Sequence, residues 1–380
     1  MLERLFDLRG HGVTARGEVF AGLTTFLTMA YIIVVNPAIL GAAGLPPAAV
    51  AVSTCLAAGV GCLLMGLMSN MPLALAPGMG LNAYFAYTVV LGMHVPWRTA
   101  LGCVFLSGAA FLVLTLAGVR QKIVAALPPS LYAATAGGIG LFIAFIGLRD
   151  AGVVVPSPAT AVALGNLRAP PTALALGGLI LLALLQAFRV KGAFLVGILV
   201  ISLAAFVLGL PRPPAAAGGL GALDGVAFRL DVPAALNLGG GFGAGLLEIV
   251  FVFLFVDVFD NIGTLVGVAK RAGLMAPDGT IPRLNRILLA DSLATMAGAV
   301  LGTTTVTSYV ESAAGVAAGG RTGLTSVVAG LLFLAALFAA PLVQAVPAAA
   351  TAPALILVGA LMIGAVREID WEEPIVAFPA

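Results

Sequence analysis

Asp257, Asp260 and Asn261 stand in the middle of an otherwise apolar stretch, E-I-V-F-V-F-L-F-V-D-V-F-D-N-I-G-T-L-V-G-V-A-K-R, from Glu248 to Arg271. A stretch of ~20 apolar residues is enough to cross a bilayer as a helix. A carboxylate at the centre of a lipid-facing helix costs roughly 2.5–3.5 kcal/mol on insertion scales, so two of them are retained only beside a polar cavity. At about 100° per residue, Asp257, Asp260, Asn261 and Thr264 share one side of that helix. The chemistry open to such a stripe is hydrogen-bond acceptance and proton uptake at membrane depth. It reads as a binding face.

The rest of the chain is what must position that face. Of its 380 residues, 61% are hydrophobic and only 9% charged, against roughly 25% charged in a soluble domain. This composition is that of an integral membrane protein. The net charge of +2 gives no argument for a nucleic-acid partner, and Cys55, Cys62 and Cys103 lie in apolar runs without metal-ligand spacing. Neither a metal nor a cofactor is expected. Residues 1–18 form a mixed-charge lead without an apolar signal-peptide core, so the first span is expected to remain as an anchor. Candidate spans follow at 19–40, 49–69, 73–91, 99–118, 133–149, 171–188, 193–210, 245–269, 286–301, 303–318, 323–343 and 352–366, with a long Pro/Gly-rich connection at 211–244. Basic residues concentrate on the side that holds Arg4, Arg9, Arg16, Arg120, Lys122, Lys270 and Arg271, which puts the N-terminus in the cytoplasm.

Two spans cannot be ordinary helices. The third, M-P-L-A-L-A-P-G-M-G-L-N-A-Y-F-A-Y, carries Pro72, Pro77, Gly78 and Gly80 near its start. Proline breaks the helix there, so an extended piece at 73–76 is expected to lead into a half-helix near Leu81. In the tenth, G-T-T-T-V-T-S-Y-V-E-S-A-A-G, the β-branched run Thr303 to Thr307 favours a strand, with a helix starting near Ser308. Interrupted spans at corresponding places in two halves point to the binding site of an inverted-repeat transporter. Non-helical backbone at this depth must be buried or line a cavity, and half-helix N-termini offer N–H donors. Beside the span-eight carboxylates, the combination suits a flat solute with donor and acceptor edges.

Several residues carry two readings. Glu311 either contributes to the site or closes a capping box, Ser308-x-x-Glu311. Asn82 either binds or caps its half-helix. Asp291, in span nine, reads as a buried structural partner, and Asn261, Thr264 and Ser308 as structural polar groups. Tyr84, Phe85 and Tyr309 stand beside the expected cavity, where they can stack on an aromatic ring or simply pack.

F-V-D-V-F-D-N-I-G-T-L-V-G-V-A, A-P-G-M-G-L-N-A-Y-F-A-Y, G-T-T-T-V-T-S-Y-V-E-S-A-A-G-V-A-A-G-G-R-T-G-L and the N-terminal T-T-F-L-T-M-A-Y-I-I-V-V-N-P together resemble the AzgA-type adenine/guanine/hypoxanthine permeases of the nucleobase-cation symporter-2 (nucleobase–ascorbate) group. The resemblance runs along essentially the whole chain. It implies an all-α polytopic membrane protein of 7+7 inverted-repeat fold, with short strands in spans three and ten. The core domain would comprise 19–118 and 245–343, the gate domain 119–244 and 344–380, after the cytoplasmic lead 1–18. About twelve spans are present, and the resemblance leads to the expectation that the chain stops before spans thirteen and fourteen. It further implies import of purine nucleobases by proton symport, with an elevator-like movement of the core. Asp257 or Asp260 and Glu311 would be the purine-binding acids, each a candidate proton carrier, with Asn82 and the Gly80 backbone contributed by span three. The expected partners are a purine nucleobase, protons, the lipid of the cell membrane and, since relatives with this fold are often dimers, a second copy.

The same fold also serves anion carriers of bicarbonate or sulfate, but clustered acids argue against an anion site. An intramembrane aspartyl protease would bring two carboxylates together from different helices. Here they lie three apart on one helix, so an enzyme is not expected. No phosphate-cradling G-x-x-x-x-G-K-[ST] occurs either.

Overall fold

The computed structural model describes residues 2–118, 129–210, 220–236, 243–275, 281–339, 345–369 and 371. Residues 119–128, which include Arg120 and Lys122, parts of the long connection (211–219 and 237–242), and most of the 370–380 segment lie outside the described residues. In chain order the helices and strands are α1 (Leu2–Phe6), α2 (Ala15–Met29), α3 (Ile32–Ala42), α4 (Pro47–Ser69), β1 (Leu75–Pro77), α5 (Met79–Ala83), α6 (Trp97–Leu116), α7 (Pro129–Asp150), β2 (Val154–Ser157), β3 (Ala161–Leu164), α8 (Pro170–Ala187), α9 (Ala193–Val207), α10 (Val232–Leu236), α11 (Gly243–Ala272), α12 (Leu284–Leu301), β4 (Val306–Ser308), α13 (Ser312–Ala317), α14 (Gly323–Ala335) and α15 (Ala348–Ile363). Among the described residues, seven helical segments are long and apolar enough to cross a membrane, and Ala193–Val207 and Gly323–Ala339 are shorter apolar helices. With α7 and the two broken spans, these occupy the twelve expected positions. The chain is a multi-pass, mostly helical membrane protein.

It divides into two compact units, Met1–Leu127 with Ala217–Ala340, and Pro128–Ala216 with Pro341–Ala380. In the first unit the two broken spans meet. β1 pairs antiparallel with β4 in the register Leu75↔Ser308, Ala76↔Thr307, Pro77↔Val306, and the ladder extends through Tyr309 N–H to Ala74 O at 3.0 Å and Gly78 N–H to Thr305 O at 2.9 Å. Buried strand edges are costly when left unpaired. Here each outer edge meets a side chain from the helix beside it. Leu75 N–H donates to Cys62 Sγ at 3.2 Å, and the thiol donates back to Leu75 O at 3.2 Å. Across the pair, Thr295 Oγ1 donates to Val306 O at 3.0 Å and accepts from Val306 N–H at 3.3 Å. Cys62 lies on the second span and Thr295 on the ninth, the equivalent positions of two inverted repeats.

Glycine allows this approach. A Cβ on Gly298 would sit 2.7 Å from Val306 Cγ2 and 2.8 Å from Thr304 O, and one on Gly61 would sit 3.1 Å from both Leu75 Cβ and Val306 Cγ1. The repeats are also interlaced. α4 of the first half packs on α14 of the second, where a Cβ on Gly66 would come within 2.5 Å of Gly323 O, and α12 packs on α6. One carboxylate fastens this interlacing. Glu18, fully buried in α2, accepts from Arg321 N–H at 2.8 Å, Thr322 N–H at 3.2 Å, Thr325 N–H at 3.2 Å and Thr325 Oγ1 at 2.6 Å. These are the free donors at the start of α14, where a negative charge is favoured. Glu18 therefore belongs to the packed unit, not to a solvated lead.

The second unit packs α7 on α15 through small residues: a Cβ on Gly147 would lie 2.8 Å from Ile356 N and 3.0 Å from Ala352 O. Its helices α8 and α9 carry Ile180, Leu199, Leu203 and Val207, all well exposed. Between α7 and α8 it adds a hairpin absent from the sequence reading, β2 with β3, in the register Val154↔Leu164 to Ser157↔Ala161.

Candidate functional site

The site grows out of three interruptions in helices. The first is in span one. Thr24, Thr25 and Thr28 in α2 return their hydroxyls to backbone carbonyls one turn back, which bends helices, and α2 stops at Met29. Tyr31 occupies the break before α3 with no exposed surface. The second interruption is β1, followed by α5, which continues as a π-helical stretch over Tyr84–Gly92. The third is β4, followed by α13.

At their meeting point the side chains assemble. Tyr31 donates its hydroxyl to Glu311 Oε1 at 2.6 Å, within the range of an O–H···O⁻ bond. Tyr309, at the end of β4, donates to Pro77 O at 2.5 Å. Asp260 comes from α11. A Cβ on Gly78 would lie in ordinary contact, 3.9 Å, with Asp260 Oδ2, which places the carboxylate at the end of β1, and only 2.9 Å from Thr307 Cγ2, so glycine is what lets β1 and β4 pair closely there. Asp260 and Glu311 are half-buried and close enough to sense each other's charge, with the Tyr309 hydroxyl near both. Asp257 lies deeper on α11 and is buried. Next to Asp260, the Asn261 amide is buried without a hydrogen bond among the described residues, as are the hydroxyls of Thr305, Thr307 and Ser308. Buried polar groups in native proteins are generally satisfied by protein, water or ligand, so this concentration of open donors and acceptors marks polar, ligand-accepting ground. Thr264, one turn beyond Asn261, is half-buried.

The span-three residues divide between two roles. Gly80 is half-buried in the first turn of α5. Asn82 is fully buried in α5 and engaged at both ends of its amide: Nδ2 donates to Asn36 Oδ1 at 2.6 Å, and Oδ1 accepts from Thr304 Oγ1. Asn36 in turn donates to Thr54 Oγ1 at 2.8 Å and Thr303 Oγ1 at 3.0 Å. Asn82 thus anchors a buried network joining spans one, two, three and ten. Phe85 has no exposed surface and sits 6.4 Å from Phe253, which Tyr84 meets edge-on at 5.3 Å. Asp291 is fully buried in α12.

One local expectation fails. Ser308 is not a helix cap but the last residue of β4, paired with Leu75, and the Glu311 side chain goes to Tyr31 instead of closing a capping box. The helix starts at Ser312, beyond the expected Ser308, because strand pairing across the repeats holds Ser308 extended. Tyr31, Asn36 and Glu18 were missed as site and anchor residues. The only hint was their place in the first span: the polar Asn36 before Pro37, and Tyr31 behind a run of threonines.

Comparison with known proteins places the chain. The model described as "Permease family" (Xan_ur_permease) matches residues 16–374. Adenine permease AdeP of Escherichia coli (strain K12) is 44% identical, over 100% of this chain and 84% of its own. Guanine/hypoxanthine permease PbuG of Bacillus subtilis (strain 168) is also 44% identical, over 100% of this chain and 87% of its own. Among solved structures, the transmembrane domain of the cyanobacterial bicarbonate transporter BicA aligns with a TM-score of 0.74 at 17% identity, covering 96% of this chain and 92% of that one, which shows a shared fold. With the matched family model and full-length relatives, this chain belongs to the permease family, in the nucleobase–ascorbate transporter group that its motifs resemble.

Proposed function

We propose that this chain imports purine nucleobases across the cell membrane by proton symport. The observation that carries the reading is the joining of Asp260, Glu311, Tyr31 and Tyr309 where β1, β4 and α11 meet, in a chain 44% identical along its whole length to adenine and guanine/hypoxanthine permeases. A purine presents N–H donors and ring-nitrogen acceptors on one flat edge. Carboxylates at Asp260 and Glu311 accept from the N–H groups, backbone N–H near Gly80 supplies donors, and Tyr309 offers an aromatic face. Two carboxylates sharing one site resist simultaneous ionisation, so a proton taken up by Asp257, Asp260 or Glu311 accompanies the neutral substrate. All these residues lie in the unit Met1–Leu127 with Ala217–Ala340. We take that unit as the core, the other as the gate, and transport as an elevator-like displacement of the core. The basic residues Arg4, Arg9 and Arg16 support an orientation with the N-terminus in the cytoplasm.

The test is uptake of radiolabelled adenine, guanine, hypoxanthine and uracil in cells lacking their own nucleobase permeases, with and without a protonophore. Purine uptake that the protonophore suppresses and Glu311→Ala abolishes is the expected result. A well-inserted protein that moves no nucleobase overturns it, and bicarbonate uptake by the same cells would instead favour an anion carrier.

A further inference from the structure

We propose that Tyr31 is a positioning residue of the purine site: its hydroxyl holds one oxygen of the Glu311 carboxylate so that the other is presented to the substrate. The proposal rests on the purine reading above and extends it to a residue in a different repeat. A glutamate side chain has three rotatable bonds and, in an open site, samples many orientations that do not meet a substrate edge. Here a bond of 2.6 Å from a fully buried phenol pins Oε1. The ring itself is set at the α2–α3 break, and Glu311 stands at the foot of α13, so each end of the bond comes from a break in a helix. A first-repeat interruption thus aims an acid of the second repeat.

The choice of a phenol has chemical content. Arginine or lysine at position 31 would orient the carboxylate as well but would also hold it ionised, leaving nothing to titrate. A tyrosine donates a hydrogen bond without bringing charge, so Glu311 is aimed and still free to take a proton. Among the described residues, the other groups facing this carboxylate add no cation: Asp260 comes from α11 and Tyr309 from the end of β4, with Asp257 deeper on α11. Arg321, beyond the far end of α13, spends Nη1 on Val316 O and Gly320 O at 2.7 Å each, and Lys270 on α11 is exposed.

The experiment is proton-dependent purine uptake by Tyr31→Phe and by a protein carrying 3,5-difluorotyrosine at position 31, which keeps the ring and strengthens the donor. Michaelis constants are measured across external pH, and thermal unfolding of each purified protein is followed in detergent. Tyr31→Phe is expected to raise KM about tenfold, the scale of one hydrogen bond to a charged group. It should also move the pH profile upward by about one unit, because the ionised form loses a donor. Difluorotyrosine should move the profile the other way. A packing role predicts a lower unfolding temperature with KM and profile unchanged, and that result overturns the proposal. Should Tyr31→Phe fail to fold, an unmoved profile in the difluorotyrosine protein overturns it equally. If the wild-type chain takes up no purine, the purine reading and this inference fall together. If it does and the variants keep its KM and profile, only the inference falls.

Discussion

At the scale of single residues, the chain stakes much of its stability on a few buried polar groups whose partners are remote in sequence. Glu18 is the clearest. Its carboxylate receives three backbone N–H groups and one hydroxyl at the start of α14, and removing it strands those donors in the interior. Glu18→Ala should cost about 3 kcal/mol, since each buried orphan donor costs roughly 1–3 kcal/mol, while Glu18→Gln should cost less because an amide oxygen still accepts. The molecule carries its own reporter: Cys55, Cys62 and Cys103 are fully buried free thiols, so a thiol-reactive dye should stay dark until unfolding and report a lowered melting temperature for Glu18→Ala. Such residues were only half legible in the sequence. The stripe Asp257, Asp260, Asn261 announces itself because polarity in an apolar span is costly. Glu18, Tyr31 and Asn36 do not, because what makes them matter is a partner some 267 to 307 residues away.

At the scale of elements, the decisive object is the β1–β4 pair and the two helices that close its edges. Its strands were legible because proline and β-branched residues leave the backbone few other choices at those positions. The local rule that placed a helix start at Ser308 failed for a related reason: Ser308 satisfies the capping pattern, but the pairing of Leu75 with Ser308 outweighs it. The β2–β3 hairpin was missed because Val154–Ser157 and Ala161–Leu164 show no clean alternation of apolar and polar residues. The strand pair makes a sharp prediction. Gly298→Val pushes its side chain into Val306 and the Thr304 carbonyl, an overpacking of about 1–3 kcal/mol that shifts β4. Purine uptake should fall more than tenfold, whereas Gly267→Val, where a Cβ meets nothing within 4 Å, should transport normally in the same assay.

At the scale of the whole molecule, the halves are woven together, not set side by side. The first half supplies α4 and β1 and the second supplies α14, β4 and α12, and each set packs on or pairs with the other. Residues 1–219 expressed alone should therefore fail to give a dye-resistant fold. Co-expressed with residues 220–380, they should recover both thiol protection and uptake; independent folding of the first piece would show the weaving to be dispensable. Span positions and the inverted repeat were readable because bilayer thickness and hydropathy constrain them strongly. The weaving itself was not, since no local pattern records which helix will lie against which.

That weaving sets a clock on biogenesis. Tyr31 leaves the ribosome 280 residues before Glu311, and at roughly 5–20 residues per second the delay is on the order of tens of seconds. Throughout it, Glu18, Tyr31 and the Thr303-facing amide of Asn36 sit in or against lipid without those partners. Newly inserted first halves are thus exposed to quality-control proteolysis for longer than any single span takes to insert. Slowing translation between Tyr31 and Glu311 should accordingly lower the yield in an expression host.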